Sequence, residues 1–163
     1  MSIAGEVPFA SDKSIWISDL ATATLGPILE GHTGAIWVLA WSPDVSQLAS
    51  GSKGGAIRVW DVITIECVRI LPSSEWIRSI AWSPDSSRFA SSSTHASIRV
   101  WGTKTCDFMC FNGHKGWVEA EAWSLDGRHL VSGSDDRTVK IWDTTVKFRP
   151  TNRGHNEPVQ PTA

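Results

Sequence analysis

A chain of 163 residues is long enough for one ordinary domain, and 41% hydrophobic with 20% charged residues is the make-up of a folded protein, not a disordered one. A formal net charge of −2 gives no electrostatic footprint for nucleic acid or an anionic membrane surface, and no window approaches the roughly 20 apolar residues of a membrane span. Cys67, Cys106 and Cys110 are odd in number and match no zinc spacing, so free thiols in a reducing compartment are expected.

Residues 1–30 read as the end of a repeat unit and not as the start of one. Met1 to Pro8 has neither a basic stretch nor an apolar run, so no signal peptide is expected. Ser11 to Asp19 resembles Ser134 to Asp143 but is one residue shorter, with Ser18 where a closing Trp belongs; the Ile15/Ile17 alternation still predicts a strand. From Gly31 the pattern becomes regular. Gly31-His32-Thr33-Gly34 is a turn cluster, 36–41 a strand rich in β-formers, and Ser42-Pro43-Asp44 the next turn. Further strands follow at 47–52, 56–61 and 67–71. A second unit repeats them at 77–82, 88–92, 97–101 and 107–111. A third gives 118–123, 129–134, 138–142 and a weaker 146–149. Arg153 to Val159 opens another unit.

The order is periodic. Trp60, Trp101 and Trp142 are 41 residues apart, and Trp41, Trp82 and Trp123 keep the same step. Two registers sharing one period mean a repeated supersecondary unit, and about 40–45 residues is the period of a propeller blade. Within the third strand Ile57/Val59, Ile98/Val100 and Val139/Ile141 point one way, while Arg58/Trp60, Arg99/Trp101 and Lys140/Trp142 point the other. Apolar groups on both faces require a cover on both sides, which neighbouring sheets of the same kind provide.

Gly-His, Ser-Pro-Asp, a Ser-Gly-Ser strand and Trp-Asp, recurring in order at fixed offsets, make residues 31–143 resemble the WD-repeat (WD40) β-propeller family. The likeness is nearest to regular fungal tandem WD repeats, as in NACHT-type signalling ATPases. It implies an all-β partial propeller of about three four-stranded antiparallel blades, 31–71, 72–112 and 113–153. An incomplete preceding blade is expected at 1–30 and the start of a further repeat at 154–163. The resemblance also implies a hydrogen-bonded tetrad in each blade. The third unit has all four members, His114, Ser132, Asp136 and Trp142. The first keeps His32, Ser50 and Trp60 with Gly54 for the Asp. The second keeps Ser91 and Trp101, with His95 for the Asp and Ser73 for the His. The networks of the first two units are therefore expected to be incomplete and those blades less stable.

Ser, His and Asp together invite a hydrolase reading, but the trio recurs with the blade period and ends on an indole N–H, and no Gly-x-Ser-x-Gly elbow is present. A propeller hydrolase or lyase would also need acids or metal ligands converging on the channel, and Trp37, Arg78 and Glu119 are not a matched set. The five histidines fall at blade offsets, Cys106 and Cys110 lack a second ligand pair, and no phosphate-cradling glycine loop occurs. No catalytic residue, metal or cofactor is expected. Arg58, Arg99 and Lys140 read as stems covering an indole and pairing with acids, not as a basic ladder.

The resemblance places partner contacts where the innermost strands begin. These are Ala35, Trp37 and Lys53 in the first unit, Trp76, Arg78 and Thr94 in the second, and Trp117, Glu119 and Asp135 in the third. Trp and Arg dominate interface hot spots. The competing reading is that Trp76 and Trp117 plug the channel mouth or a gap between blades. The expected function is a non-catalytic protein-interaction scaffold, adaptor or sensor in the cytoplasm or nucleus, with other proteins as partners and neither nucleic acid nor membrane insertion. The sensor region of a fungal NACHT-type protein and a mitochondrial-fission-type adaptor are the finer alternatives; a phosphoprotein receptor would need more arginines than Arg78. Three blades cannot close a ring. A piece of a larger propeller, a ring closed by further WD repeats or a second copy, and a truncated chain all stay open, and the isolated chain is expected to be marginal.

Overall fold

The computed structural model describes residues 6–19, 24–105 and 107–146. Cys106, His155, the further unit expected at 154–163 and residues 147–149 of the weak last strand lie outside them. The described residues form fourteen strands and no helix, so no helix is long and apolar enough to cross a membrane. The strands pair antiparallel with their neighbours in sequence, as short polar turns dictate, and the chain divides into two compact units, 1–76 and 77–163.

The first unit holds β1 (Glu6–Ser11), β2 (Ser14–Asp19) and β3 (Thr24–Leu29) in one sheet. A second sheet contains β4 (Ile36–Trp41), β5 (Gln47–Ser52), β6 (Ala56–Asp61) and β7 (Glu66–Pro72). Ile15, Ile17 and Leu29 of the first sheet pack on Leu48 and Trp60 of the second and on Val62 in the turn after β6, with Leu39 and Trp41 at the border. The Ile36 amide ties the sheets by donating to the Asp12 carbonyl at 2.8 Å. Each fully buried side chain of this size contributes about 1.5–3 kcal/mol.

The second unit repeats the plan with β8 (Ile77–Trp82), β9 (Arg88–Ser93), β10 (Ser97–Gly102) and β11 (Phe108–Asn112) in one sheet. The next contains β12 (Val118–Trp123), β13 (His129–Ser134) and β14 (Val139–Asp143). Ile98, Val100, Met109 and Phe111 pack on Val118, Leu130 and Trp142. Three polar links reinforce this seam. Trp123 Nε1 donates to the Ala81 carbonyl at 3.0 Å, and Arg88 donates to the Gly127 and Thr144 carbonyls. No described residue gives the far face of the last sheet such cover: Val139 and Ile141 are 72% and 60% exposed, whereas Ile98 and Val100 at the same offsets are fully buried.

Residues 1–30 contain three strands where the sequence signalled one. Pro8 and the Gly26-Pro27 pair fall inside β1 and β3, and both residue types ordinarily mark turns. Gly26 lies opposite a register shift between Trp16 and Ser18, and a Cβ there would stand 2.7 Å from the Ile17 carbonyl oxygen. β14 starts one residue later than expected because Thr138 is spent on the turn, its amide and hydroxyl both donating to Asp136 Oδ1.

One turn is built the same way three times. Ser42, Ser83 and Ser124 each donate to the Asp two residues on and accept an amide from five residues on. The turn needs a left-handed residue, supplied by Val45 (φ 57°), Ser86 (φ 57°) and Gly127 (φ 67°). A β-branched valine is strained there. Val45→Asn should therefore raise stability by up to about 1 kcal/mol, read as a higher urea midpoint with an unchanged m-value.

Candidate functional site

The buried core of each repeat is organised by an indole. Trp60, Trp101 and Trp142 are 1–4% exposed, and each donates its N–H to a serine on the neighbouring strand: Ser50 at 2.8 Å, Ser91 at 2.9 Å and Ser132 at 2.8 Å. The serine stands ten residues before its Trp. What continues beyond it differs from repeat to repeat.

In the third repeat the chain of bonds runs to its end. Ser132 Oγ lies 2.8 Å from His114 Nε2, and His114 Nδ1 lies 2.9 Å from Asp136 Oδ2. Asp136 is held ionised well below the usual carboxylate range, first by the Thr138 hydroxyl and then by the Lys115 amide and His114. In the first repeat His32 Nε2 lies 2.6 Å from Ser50 Oγ, but Nδ1 is buried with no hydrogen-bond partner. Gly54 leaves no carboxylate to meet it. Gly34 and Gly54 approach so closely that a Cβ on either would come within 3 Å of the other's backbone, as a Cβ on Gly116 would of Asp136. In the second repeat the bonds stop at Ser91. His95 is exposed in the turn, and Ser73 belongs to the first unit, where its amide donates to the Gly55 carbonyl and its hydroxyl accepts from the Glu75 amide at 3.1 Å. Apart from the unpartnered His32 Nδ1, the polar atoms of these networks bond to one another inside the sheet, and the serine of each repeat is buried.

The residues expected to contact partners sit where the inner strands β4, β8 and β12 begin, and here the structure adds a feature. Each strand carries a register shift at the same place, between Ile36 and Val38, Ile77 and Ser79, and Val118 and Ala120. The residue skipped by the ladder is Trp37, Arg78 and Glu119 in turn. A bulge re-aims its side chain. In the first unit the bulge brings Trp37, 54% exposed, beside Trp76, 40% exposed, with ring centroids 6.3 Å apart. Lys53 Nζ stands 4.1 Å above the Trp76 ring, and the Lys53 amide donates to the Ala35 carbonyl at 2.8 Å. These four residues form one exposed aromatic and cationic cluster.

In the second unit Trp117 is 48% exposed and its carbonyl accepts the Asp135 amide at 3.0 Å. Arg78 donates through Nε and Nη2 to Glu119 Oε2, so its charge is satisfied within the unit. A phosphoprotein site built on Arg78 would have to break that pair. Thr94 lies half-buried in the turn between β9 and β10.

Two further residues carry no sequence signal of their own. Arg88, besides its two carbonyl bonds, lies 4.8 Å over the Trp123 ring. Glu121 has both carboxylate oxygens buried without a partner. The regular spacing that exposes the repeats also hides such one-off substitutions. Arg58 and Arg99 do cover aromatic rings, at 5.7 Å from Trp60 and 5.3 Å from Phe108, but Arg58 bonds the Gly31 carbonyl and the Cys67 sulfur and not an acid. Among the described residues no three His, Cys, Asp or Glu side chains gather at a metal-binding distance.

Two outcomes follow from the networks. Trp142→Phe removes the donor that anchors the linked Ser132, His114 and Asp136, whereas Trp101→Phe removes the donor to a serine with no network beyond it. The former should cost about 1 kcal/mol more, measured as the difference in urea-derived stability. His32 is pushed down to about 4, by burial first and by Arg58 second. The unfolded chain then takes up the imidazole proton before the folded one does. Stability is full above pH 6.5 and declines towards pH 4, so protection factors of the β5 and β6 amides should fall across that window and stay level in His32→Gln.

A family model described as WD domain, G-beta repeat matches residues 23–61, 65–102 and 105–143. Each match ends with β6, β10 or β14 and begins with the last strand of the sheet before, so the sequence repeat runs one strand out of step with the sheets. Among curated proteins the chain is similar to the THO complex subunit 6 homolog of Danio rerio, 33% identical over 70 residues, 41% of this chain and 22% of that protein. It is also similar to eukaryotic translation initiation factor 3 subunit I of Emericella nidulans, 48% identical over 40 residues, 24% of this chain and 12% of that protein. The corresponding subunit of Aspergillus niger is 45% identical over 40 residues, with the same shares. The matched segments thus span less than a quarter of these relatives' lengths. With three family matches over more than half of its length, and antiparallel sheets in series, the chain belongs to the WD-repeat family and has the all-β fold class of a partial WD40 propeller.

Proposed function

We propose that this chain is a non-catalytic protein-interaction module that captures other proteins through residues at the start of its inner strands, β4 in the first unit and β8 and β12 in the second. The observation that carries the reading is the bulge repeated in all three inner strands. It removes one residue per repeat from the ladder: Trp37 is left exposed beside Trp76, while Arg78 and Glu119 pair with each other next to Trp117. The exposed indoles Trp37, Trp76 and Trp117 flank those bulges, and large amphipathic side chains of this type anchor protein interfaces at low entropic cost. A plug would bury such rings instead.

The family supports the same role. The relatives above are named as a subunit of an initiation factor and as a subunit homolog of a complex, and association with other proteins is the property we carry over. We place the module inside the cell, as an expectation from the free thiols of Cys67 and Cys110. The tetrads, which in isolation resemble hydrolytic triads, serve the packing of each sheet.

The test compares the strand starts with the opposite end. Trp117→Ala combined with Arg78→Ala, and separately Trp37→Ala, should abolish capture of the interacting protein from a cell extract while far-UV circular dichroism and the unfolding transition persist. Leu125→Ala, a 96% exposed side chain in the turn at the other end of β12, should leave capture intact. Retention by the variants at the strand starts, or loss with Leu125→Ala, would move the binding surface elsewhere.

A further inference from the structure

The seam between the two sheets of the second unit contains a group that does not belong in a hydrophobic interface. At the same place in the inner strand, 41 residues apart, the three repeats carry Leu39, Ile80 and Glu121. Leu39 and Ile80 are ordinary packing residues, the former at the border of a core cluster and the latter 7% exposed. Glu121 stands on β12 opposite Ser132 in the ladder, and Ser132 is the serine that receives the Trp142 N–H. Both Glu121 carboxylate oxygens are shielded from solvent and meet no hydrogen-bond partner in good geometry. Ser92 on β9, 1% exposed, has an Oγ that is likewise buried and unpartnered.

Three elements pack against β12: β8, β9 and β13. On β8, Arg78 is engaged with Glu119. On β9, Arg88 lies over Trp123 and bonds the Gly127 and Thr144 carbonyls. On β13, His129 is exposed at the strand's start, paired in the ladder with Asp143. On β12 itself the other acid is Glu119. The groups that act on the Glu121 carboxyl are the hydroxyls of Ser92 and Ser79 and the Ser92 backbone, all uncharged. An ionised carboxylate here would be buried without a countercharge, which is costly, while the neutral acid has an O–H to donate to a serine oxygen.

We propose that Glu121 is a proton-operated latch in this seam: as the neutral acid it holds β12 against β8 and β9, and on losing its proton it loosens the seam. Burial pushes the Glu121 carboxyl up to about 7, with the serine contacts opposing only part of that shift. The folded form therefore keeps a proton that the unfolded chain gives up near 4.5. The contribution to stability is complete below that value and is lost as pH rises towards 7. The direction is opposite to that of His32 in the first unit, so acidification weakens one unit and tightens the other.

The experiment uses the full chain labelled with ¹³C in its glutamate carboxyls. The Glu121 carboxyl resonance should titrate with a midpoint near 7, and protection factors of the β12 amides should fall about tenfold per pH unit between pH 5 and 7 and level off above. Glu121→Gln keeps the shape and a donor without a titrating proton and should flatten that profile. Glu121→Leu, which copies the first repeat, should flatten it too and protects the test if the glutamine variant folds poorly. A midpoint near 4.5, or a β12 profile in both variants as steep as in the parent, would overturn the proposal.

Discussion

A buried indole N–H has to find an acceptor, and in this chain the same solution appears three times. The serine ten residues before each closing tryptophan accepts its hydrogen bond, with N···O distances of 2.8–2.9 Å. Because the two residues lie on adjacent strands, that single bond sets the register of the second strand on the third. Once the register is set, the pleat decides which side chains reach the neighbouring sheet: Leu48 with Trp60 in the first unit, Leu130 with Trp142 in the second. An unpaired indole would cost roughly 1–3 kcal/mol, a sizeable part of what a small sheet has to spare. The serine is thus kept in all three repeats while the histidine and aspartate beyond it are not.

The gradation of the networks carries physical meaning. His114 is flanked by Ser132 and Asp136, so both ring nitrogens are satisfied. His32 has one nitrogen satisfied and one orphaned, and the Arg58 charge nearby further opposes its protonation. The second repeat omits the histidine altogether. Between them the repeats show what the serine–indole bond can support alone and what the longer network adds.

The inner strands are governed by a different constraint. Each must close a ladder with its neighbour and yet turn one side chain out of it at the strand's start, and a one-residue bulge does both. It turns Trp37 towards Trp76 and Lys53, and it lets Arg78 meet Glu119 across two sheets of the second unit. The bulge at Glu119 separates Val118 from Glu121 by three positions, and the Glu121 carboxyl arrives in the seam among the Ser79 and Ser92 hydroxyls.

The period, the strand order and the serine–tryptophan pairing were legible from residues 31–143 alone, because local rules suffice for them. Turn chemistry places Ser42, Ser83 and Ser124, and a constant step of 41 residues keeps every offset. The positions expected to contact partners could be named as offsets too. Why their side chains leave the ladder was not legible, since a bulge depends on the partner strand and has no composition of its own. β1 and β3 escaped notice because Pro8, Gly26 and Pro27 are turn residues unless a neighbouring strand accommodates them, as the register shift beside Ile17 does. The same holds for charge. In the sequence Arg78 is one cation among many and Glu121 an ordinary acid in an alternating strand, and only packing of one sheet on the next pairs the first and buries the second. Sequence determined what repeats along this chain; tertiary structure decided which of the repeated positions meet water, a partner charge or a dry seam, because solvation is a property of neighbours brought together in space.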